Sequence, residues 1–159
     1  MMRRRRRVRD DSGAAALEFA LVVPVLLLLV FGIIDYGIFF SDSLAVRSGV
    51  REAARTGVVG DCPTMACLVD ATKANIDPIG GATTYVKIDA PSGWAHGRRL
   101  TVCAQVKVDG ITGLTPLLPN DAVTTSRVQM RIEQDVTIPD ADRHFAEAPP
   151  SGGSWDFCP

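Results

Sequence analysis

The chain has 159 residues and a formal net charge of −1, which is room for one domain of ordinary size. Its charge is divided unevenly. Residues 1–13 hold six arginines and two aspartates, hence a net charge of +4. The remainder holds 11 Lys+Arg and 16 Asp+Glu, hence a net charge of −5. A basic leader can indicate nucleic-acid binding, but here an apolar run follows it directly. The composition therefore argues against a nucleic-acid partner and favours a membrane topology signal.

Residues 14–34, with the sequence AAALEFALVVPVLLLLVFGII, form an apolar run whose single charge is Glu18. As a helix rising about 1.5 Å per residue, this run spans roughly the 30 Å hydrocarbon layer of a bilayer. A soluble helix of this length shows a polar face, and residues 19–34 offer none. We predict one transmembrane helix, assigned to residues 14–40, after a basic cytoplasmic leader at residues 1–13.

The arginines set the predicted orientation, because Lys and Arg accumulate on the cytoplasmic flank of a membrane helix. The N-terminus is then cytoplasmic and the C-terminal domain lies outside, in a single-pass protein of the bacterial plasma membrane. Removal of the whole segment as a secretory signal is the alternative, with Ser43 and Ala45 as small residues around a cleavage site. The apolar run is longer than such signals have, and that site lies well past it, so we expect the helix to be kept.

A sharper local pattern surrounds Glu18. The leader ends at Gly13, and the apolar helix begins directly after it with its only acid at the fifth position. A lone acid in an apolar helix is costly, at about 2.5–3.5 kcal/mol in mid-membrane and less near the end. If a peptidase cut after Gly13, the new ammonium group of Ala14 would lie one helical turn from Glu18 and could pair with it. The alternative is a Glu18 that lies at the headgroup level near the start of the helix.

A short basic leader, Gly13, four small or apolar residues and Glu18-Phe19 resemble a type IV prepilin processing signal. The longer stretch GAAALEFALVVPVLLLLVFGIIDYG is similar to the TadE-like family, pseudopilin-like proteins of the bacterial tight-adherence (Flp) pilus machinery. A similar Arg-x-x-Ala-Arg segment extends the resemblance to about residue 57. The features that carry the match are Gly13, Glu18, Phe19, Pro24, Gly32, Asp35 and Tyr36.

The resemblance implies cleavage between Gly13 and Ala14 by a membrane aspartyl prepilin peptidase. That peptidase would be a partner, together with other pilin-like subunits and pilus assembly proteins. The implied function is that of a pseudopilin or minor pilin in pilus assembly, structural rather than catalytic, at the membrane or cell surface. A signal-anchored outer domain that binds a surface ligand or a membrane-complex partner is the alternative.

Two further features of the helical region carry predictions. Pro24 removes one intrahelical hydrogen bond, so we expect a kink there. Residues 41–60 read as an extramembrane continuation of the helix, ended by Gly57, Gly60 and Pro63. Arginines at positions 47, 51 and 55 recur every fourth residue and share one helix face. They could dock on an acidic partner or on lipid headgroups, but a solvated face is the favoured interpretation.

Residues 61–138 are predicted to form a β-rich outer domain. Segments 83–90, 100–108 and 122–133 are rich in β-branched residues and partly alternate, with turn residues between them. Residues 70–76 suit a short helix. The predicted fold class is α+β and pilin-like: a long N-terminal helix that extends into a small antiparallel sheet of three or four strands. Residues 139–159 are rich in Pro, Gly and Ser and should form an irregular tail.

The cysteines lie at positions 62, 67, 103 and 158, all on the predicted outer side, where disulfides persist. Four cysteines allow three pairings. Cys62 and Cys67 enclose a short turn and are easily bridged, which leaves Cys103 to fasten the tail through Cys158. This pairing is the preferred one. A zinc site is the alternative, but the usual C-x2-C pairs are missing.

No motif indicates an active site. The two histidines, His96 and His144, lie outside any metal-binding doublet, and no nucleophile elbow or phosphate-binding glycine loop occurs. Asp140 and Asp142 lie near His144 and could bind a cation, but solvated side chains in a polar turn are the favoured interpretation. We expect no catalysis, no cofactor, no metal and no small-molecule substrate.

Overall fold

The computed structural model describes residues 11–79, 82–108, 112, 122–135, 138 and 143–158, with residues 11 and 12 as backbone only. Two helices come first: α1 (Asp11–Val59) and α2 (Met65–Asn75). Four strands follow: β1 (Thr84–Asp89), β2 (Arg99–Lys107), β3 (Val123–Arg131) and β4 (His144–Ala146). The strands form one antiparallel sheet, so the predicted α+β fold class is confirmed.

Helix α1 is continuous over 49 residues and contains Pro24. It ends at Val59 because Gly60 adopts a positive φ of 83°, a left-handed backbone conformation that residues with a side chain rarely adopt. The Asp61 N–H then donates to the Thr56 carbonyl at 3.2 Å, the bond of a Schellman cap. The membrane-type run and the predicted extension are therefore one rod, in agreement with the sequence.

The two halves of α1 differ in what covers them. Side chains of residues 13–34 are almost all exposed, whereas from Asp35 onward one face is buried by the rest of the chain. The folded domain thus begins on the helix at Asp35, five residues before the boundary drawn at residue 40. The large apolar side chains left exposed on the first half are Leu17, Phe19, Leu21, Val22, Val25, Leu26, Leu27, Leu28, Leu29, Val30, Ile33 and Ile34.

The sheet has the order β3-β2-β1-β4, so β2 and β1 are central. In β2 the side chains of Leu100, Val102, Ala104 and Val106 pack against the helices, as the two-residue period of a strand requires. The alternate residues of β2 lie on the outer face and are also buried, because the tail covers them. Strand β2 therefore has no solvated face over most of its length.

The core lies between the sheet and the two helices. Helix α1 contributes Val46, Val50, Ala53, Ala54 and Val58, and α2 contributes Met65, Leu68 and Val69. Gly57 lets α1 approach the sheet closely, since a Cβ at this position would lie 2.8 Å from the side chain of Leu100 in β2. This close contact fixes the spacing between helix α1 and the sheet.

Two elements differ in position from the sequence prediction. Helix α2 begins at residue 65 rather than 70, because the Thr64 side chain accepts a hydrogen bond from the Cys67 N–H at 3.1 Å and caps it. Strand β4 lies within the stretch assigned to the tail, and it forms by pairing with β1 through Ile88 and Phe145. The leader, residues 1–10, lies outside the described residues.

Candidate functional site

The sequence-predicted processing residues all lie in the first turns of α1. Gly13, Ala14, Glu18 and Phe19 are exposed, and Glu18 is one helical turn from Ala14. Among the described residues, the Glu18 carboxylate has no hydrogen-bond or ion-pair partner. The structure thus presents a single acid on a helix surface that is otherwise apolar, and no other described part of the chain packs against it.

The middle of the exposed half contains Pro24 and Gly32. Pro24 has no N–H to donate to the carbonyl of Ala20, so one rung of the helix ladder is missing there. The missing side chain of Gly32 leaves a shallow apolar depression, which is also lined by Leu28, Leu29, Ile33 and Tyr36. A neighbouring apolar helix could approach closely at this depression.

Asp35 marks the point where the folded domain meets the helix. Its carboxylate is 3% exposed, and it accepts hydrogen bonds from the Thr112 N–H at 3.2 Å and from the Thr112 hydroxyl at 2.5 Å. Thr112 follows β2 in the chain. The connection after β2 is therefore tied to the helix one residue beyond the apolar run.

Asp42 makes a second contact of this kind, seven residues along the same helix face. It is 1% exposed, and its Oδ1 accepts from the Ile79 N–H at 2.7 Å. Sequence reasoning noticed Asp35 as part of a motif and overlooked Asp42. The seven-residue spacing of two acids on one face of a helix was the available indication.

The three arginines of the helix extension, Arg47, Arg51 and Arg55, are exposed, opposite the buried face that carries Val50 and Ala54. Within the described part of the chain they form no side-chain hydrogen bond or ion pair. The solvated face therefore stays a prediction, with docking on an acidic partner or on lipid headgroups as the alternative.

The cysteines are joined as Cys62–Cys67 and Cys103–Cys158, with Cα–Cα distances of 5.4 Å and 6.2 Å. This is the pairing that the spacing favoured. The first bridge links the turn after α1 to the start of α2. The second fastens the last described residues to the outer face of the central strand β2.

Side-chain contacts hold the rest of the tail on the same outer face. Buried Gln105 donates from Nε2 to the Ser154 carbonyl at 2.9 Å, and Trp155 donates from Nε1 to the Glu147 carbonyl at 2.8 Å. Lys87 donates to the Cys158 carbonyl at 2.5 Å. The tail is therefore a packed part of the domain, and Trp155 helps to fix it. The other tryptophan, Trp94, is buried in the core.

Glu147 joins three elements and was not singled out from the sequence. Its Oε1 pairs with the Lys73 ammonium of α2 at 2.5 Å, and its Oε2 accepts from the Val86 N–H of β1 at 2.9 Å. Nothing in the local sequence marks this residue, because its partners are distant along the chain.

Among the described residues, neither histidine lies in a group of metal-binding side chains. His144 Nδ1 lies 2.5 Å from Asp89 Oδ1 at the sheet edge, and His96 is exposed in the loop before β2. The residues that the structure describes contain no cluster of three His, Cys, Asp or Glu side chains. Asp140 and Asp142, named above for a cation, lie outside the described residues.

Comparisons with known proteins gave a match that falls on helix α1. The sequence model of a family described as TadE-like protein matches residues 13–55, which are nearly all of α1. Searches of curated proteins and of solved structures gave no match. Helix α1 is also a candidate single membrane span by length and composition. The predicted resemblance to the TadE-like family is confirmed over residues 13–55, and this segment suggests a protein associated with the Tad pilus.

Proposed function

We propose that this protein is a pseudopilin or minor pilin that takes part in the assembly of a tight-adherence pilus. The observation that carries the proposal is the exposed half of α1. It is an apolar helix on which none of the described residues of the domain packs, and it bears the acid at the fifth position after Gly13. The TadE-like match covers this same helix.

In this proposal the N-terminus is cytoplasmic, the apolar half of α1 spans the membrane, and the disulfide-bearing domain lies outside. The six arginines before the helix and the two disulfides beyond it support this orientation. The proposed division of the chain is a leader, a membrane helix, its extension, the outer domain and the tail. The role is structural, with no catalytic step of its own.

Processing would give Glu18, the lone acid of the apolar half of α1, its partner. A prepilin peptidase would cut between Gly13 and Ala14 and create an ammonium group at the start of the helix. The Glu18 carboxylate would then pair with the terminal amine of its own chain or of a neighbouring subunit. Assembly partners would pack on the apolar surface around Gly32, where helix backbones can approach. Pro24 would supply a kink that neighbouring helices accommodate.

Sequencing the mature N-terminus in the native host tests the proposal first. We expect Ala14 as the first residue, and a start at Met1 or Met2 would contradict cleavage. The variant Gly13→Ala should block maturation, whereas Gly37→Ala, at an exposed glycine of the same helix with no atom within 4 Å, should mature normally.

A second experiment measures both maturation and the number of pili. Glu18→Ala should mature or assemble poorly and should lower the number of pili, whereas Glu52→Ala, at an exposed glutamate later in α1, should leave the number unchanged. Normal maturation and normal piliation in both Gly13→Ala and Glu18→Ala would favour the second candidate, a signal-anchored outer domain that binds a surface ligand or membrane-complex partner.

A further inference from the structure

The outer face of the sheet has one region that the tail leaves open. The tail covers this face at Cys103, Gln105 and Lys107, through the disulfide and its hydrogen bonds. At the opposite end of β2 and β3 the face forms a concavity of about 360 Å³. Its lining residues are Ser92, Gly97, Arg98, Arg99, Gln129, Met130 and Arg131.

Three arginines dominate this concavity. Arg98, Arg99 and Arg131 are all exposed, and in the described part of the chain their side chains have no acid or carbonyl partner. Arg99 and Arg131 are directly opposite each other in the β2–β3 register. Like charges in directly opposite positions destabilise a strand pair, so this arrangement costs stability in the absence of a counter-charge.

The backbone around the arginines is held in place. The Gly97 N–H donates to the Ile132 carbonyl at 2.8 Å, and the Ile132 N–H donates to the Arg98 carbonyl at 2.9 Å. The loop before β2 is thus tied to the end of β3, which fixes the backbone positions of all three arginines. A ligand would therefore need to order only the three side chains and not the backbone that carries them.

The charges favour a dianion. Three guanidinium groups supply +3, and no acid is among the described lining residues. The acids nearby lie outside the concavity: Glu133 lines the adjoining one with His96, and Asp135 accepts from the His96 N–H at 2.9 Å. A phosphate monoester carries about −1.5 to −2 at pH 7 and accepts bidentate hydrogen bonds from arginine, whereas one carboxylate would leave most of the charge unmatched. The volume lies within the range of about 300–1,000 Å³ found for ligand sites, which leaves room for an organic group.

The position of the concavity decides the source of the phosphate. The Glu133 N–H donates to the Val58 carbonyl at 2.9 Å, so the arginines lie at the C-terminal end of α1. Asp35, where the apolar half ends, lies about 35 Å away along the helix. Lipid headgroups around the apolar half are therefore too far from the arginines to bind them. A soluble or polymer-borne phosphate on the far side of the domain could reach them.

We infer that Arg98, Arg99 and Arg131 form a binding site for the phosphate monoester group of a saccharide-sized ligand, at the end of the domain farthest from the apolar helix. This inference does not depend on pilus assembly. Loss of the site would leave processing intact, and failure of processing would leave the site intact.

The test uses the full chain in neutral-lipid nanodiscs, in buffer without phosphate, with glucose 6-phosphate as the probe and glucose as the uncharged control. We expect saturable binding of glucose 6-phosphate by calorimetry, a raised melting temperature and no binding of glucose. The double variant Arg99→Gln/Arg131→Gln should weaken binding by about tenfold or more. The matched variant Arg47→Gln/Arg51→Gln removes the same charge from α1 and should bind normally.

Three outcomes would overturn the inference: no saturable binding, equal losses in the two double variants, or binding of phosphatidylglycerol vesicles in place of the sugar phosphate. Binding of an acidic peptide without binding of the sugar phosphate would likewise reject it in favour of a protein partner. If the β-strand variant fails to fold, Arg98→Gln provides the same comparison from the loop before β2.

Discussion

Gly49 lies where helix α1 crosses the end of helix α2, and the crossing leaves no room for a side chain. A Cβ at this position would lie 2.6 Å from the Asn75 carbonyl oxygen and 2.8 Å from its carbon, and it would also overlap Ile76. Because two of these atoms belong to the backbone, a rotamer change cannot relieve the overlap. Gly49 therefore sets the distance between the two helices.

We predict that Gly49→Ala destabilises the domain by about 1–2 kcal/mol. Overpacking costs about 1–3 kcal/mol, and the overlap with backbone atoms places Gly49→Ala in the upper half of that range. The cost therefore exceeds the gain of about 1 kcal/mol that alanine brings to a helix interior. Chemical unfolding of the full chain, followed by the fluorescence of the two tryptophans, measures the change. Gly37→Ala is the control, since that position is exposed and open. Equal stability of Gly49→Ala and the native chain would contradict the crossing geometry.

Glu147 and Gln105 show another way in which single residues join distant parts of the chain. Glu147 binds Lys73 of α2 and the backbone of β1, and Gln105 of β2 binds the backbone of the tail. Both are partly or fully buried, and a buried polar group is costly unless it is hydrogen-bonded. These contacts therefore specify one arrangement of the tail rather than merely adding stability.

Among the elements, the tail depends most on a covalent bond. The Cys103–Cys158 bridge spans 55 residues of sequence and the Cys62–Cys67 bridge only 5. In the chain-entropy model the longer loop contributes about 4 kcal/mol and the shorter about 2 kcal/mol. The bridge between β2 and the tail should thus be the more important of the two.

We predict that Cys103→Ala/Cys158→Ala lowers the free energy of unfolding about twice as much as Cys62→Ala/Cys67→Ala does, under non-reducing conditions. The first variant should also speed amide hydrogen exchange in residues 151–158, because only hydrogen bonds and packing would then hold them on the sheet. Peptide mapping without reduction provides the independent check of connectivity. A linked peptide that joins Cys62 to Cys103 would reject the pairing on which this prediction depends.

The sequence predicts the long helix and the longer strands better than the short elements, for physical reasons. Strands β1, β2 and β3 have strong β-branched patterns, and α1 has an apolar run and a terminal Gly60, so local information suffices. The start of α2 depends on the Thr64 cap, which lies inside the segment between Cys62 and Cys67 that the sequence predicts as a turn. Strand β4 has three residues and exists only by pairing with β1, a contact that no local pattern encodes.

The candidate sites divide in the same way. Gly13 and Glu18 are only five positions apart in the sequence, so their pattern was visible without a structure. Arg99 and Arg131 are brought together by the β2–β3 register, and Asp35 meets Thr112 through a long connection. Sequence reasoning located the first group and missed the others, because their proximity is a property of the fold.

On the scale of the whole molecule, the exposed apolar segment and the folded core lie in different parts of the chain. The buried core residues all lie at or beyond Val46, whereas most large exposed apolar side chains lie between Leu17 and Ile34. Both tethers to the helix, at Asp35 and Asp42, lie beyond the apolar run. The exposed half of α1 therefore contributes little to the stability of the domain.

We predict that a chain of residues 35–159 folds, forms both disulfides and stays monomeric without detergent, because it keeps the core and both tethers. A chain of residues 47–159 loses Asp35, Asp42 and the buried Val46, and it should be less stable by several kcal/mol, since deletion of a buried apolar side chain alone costs about 2–5 kcal/mol. Sedimentation and thermal unfolding of the two chains, each oxidised, make the comparison. Aggregation of the longer chain, or equal melting temperatures for the two, would show that the boundary at Asp35 is wrong.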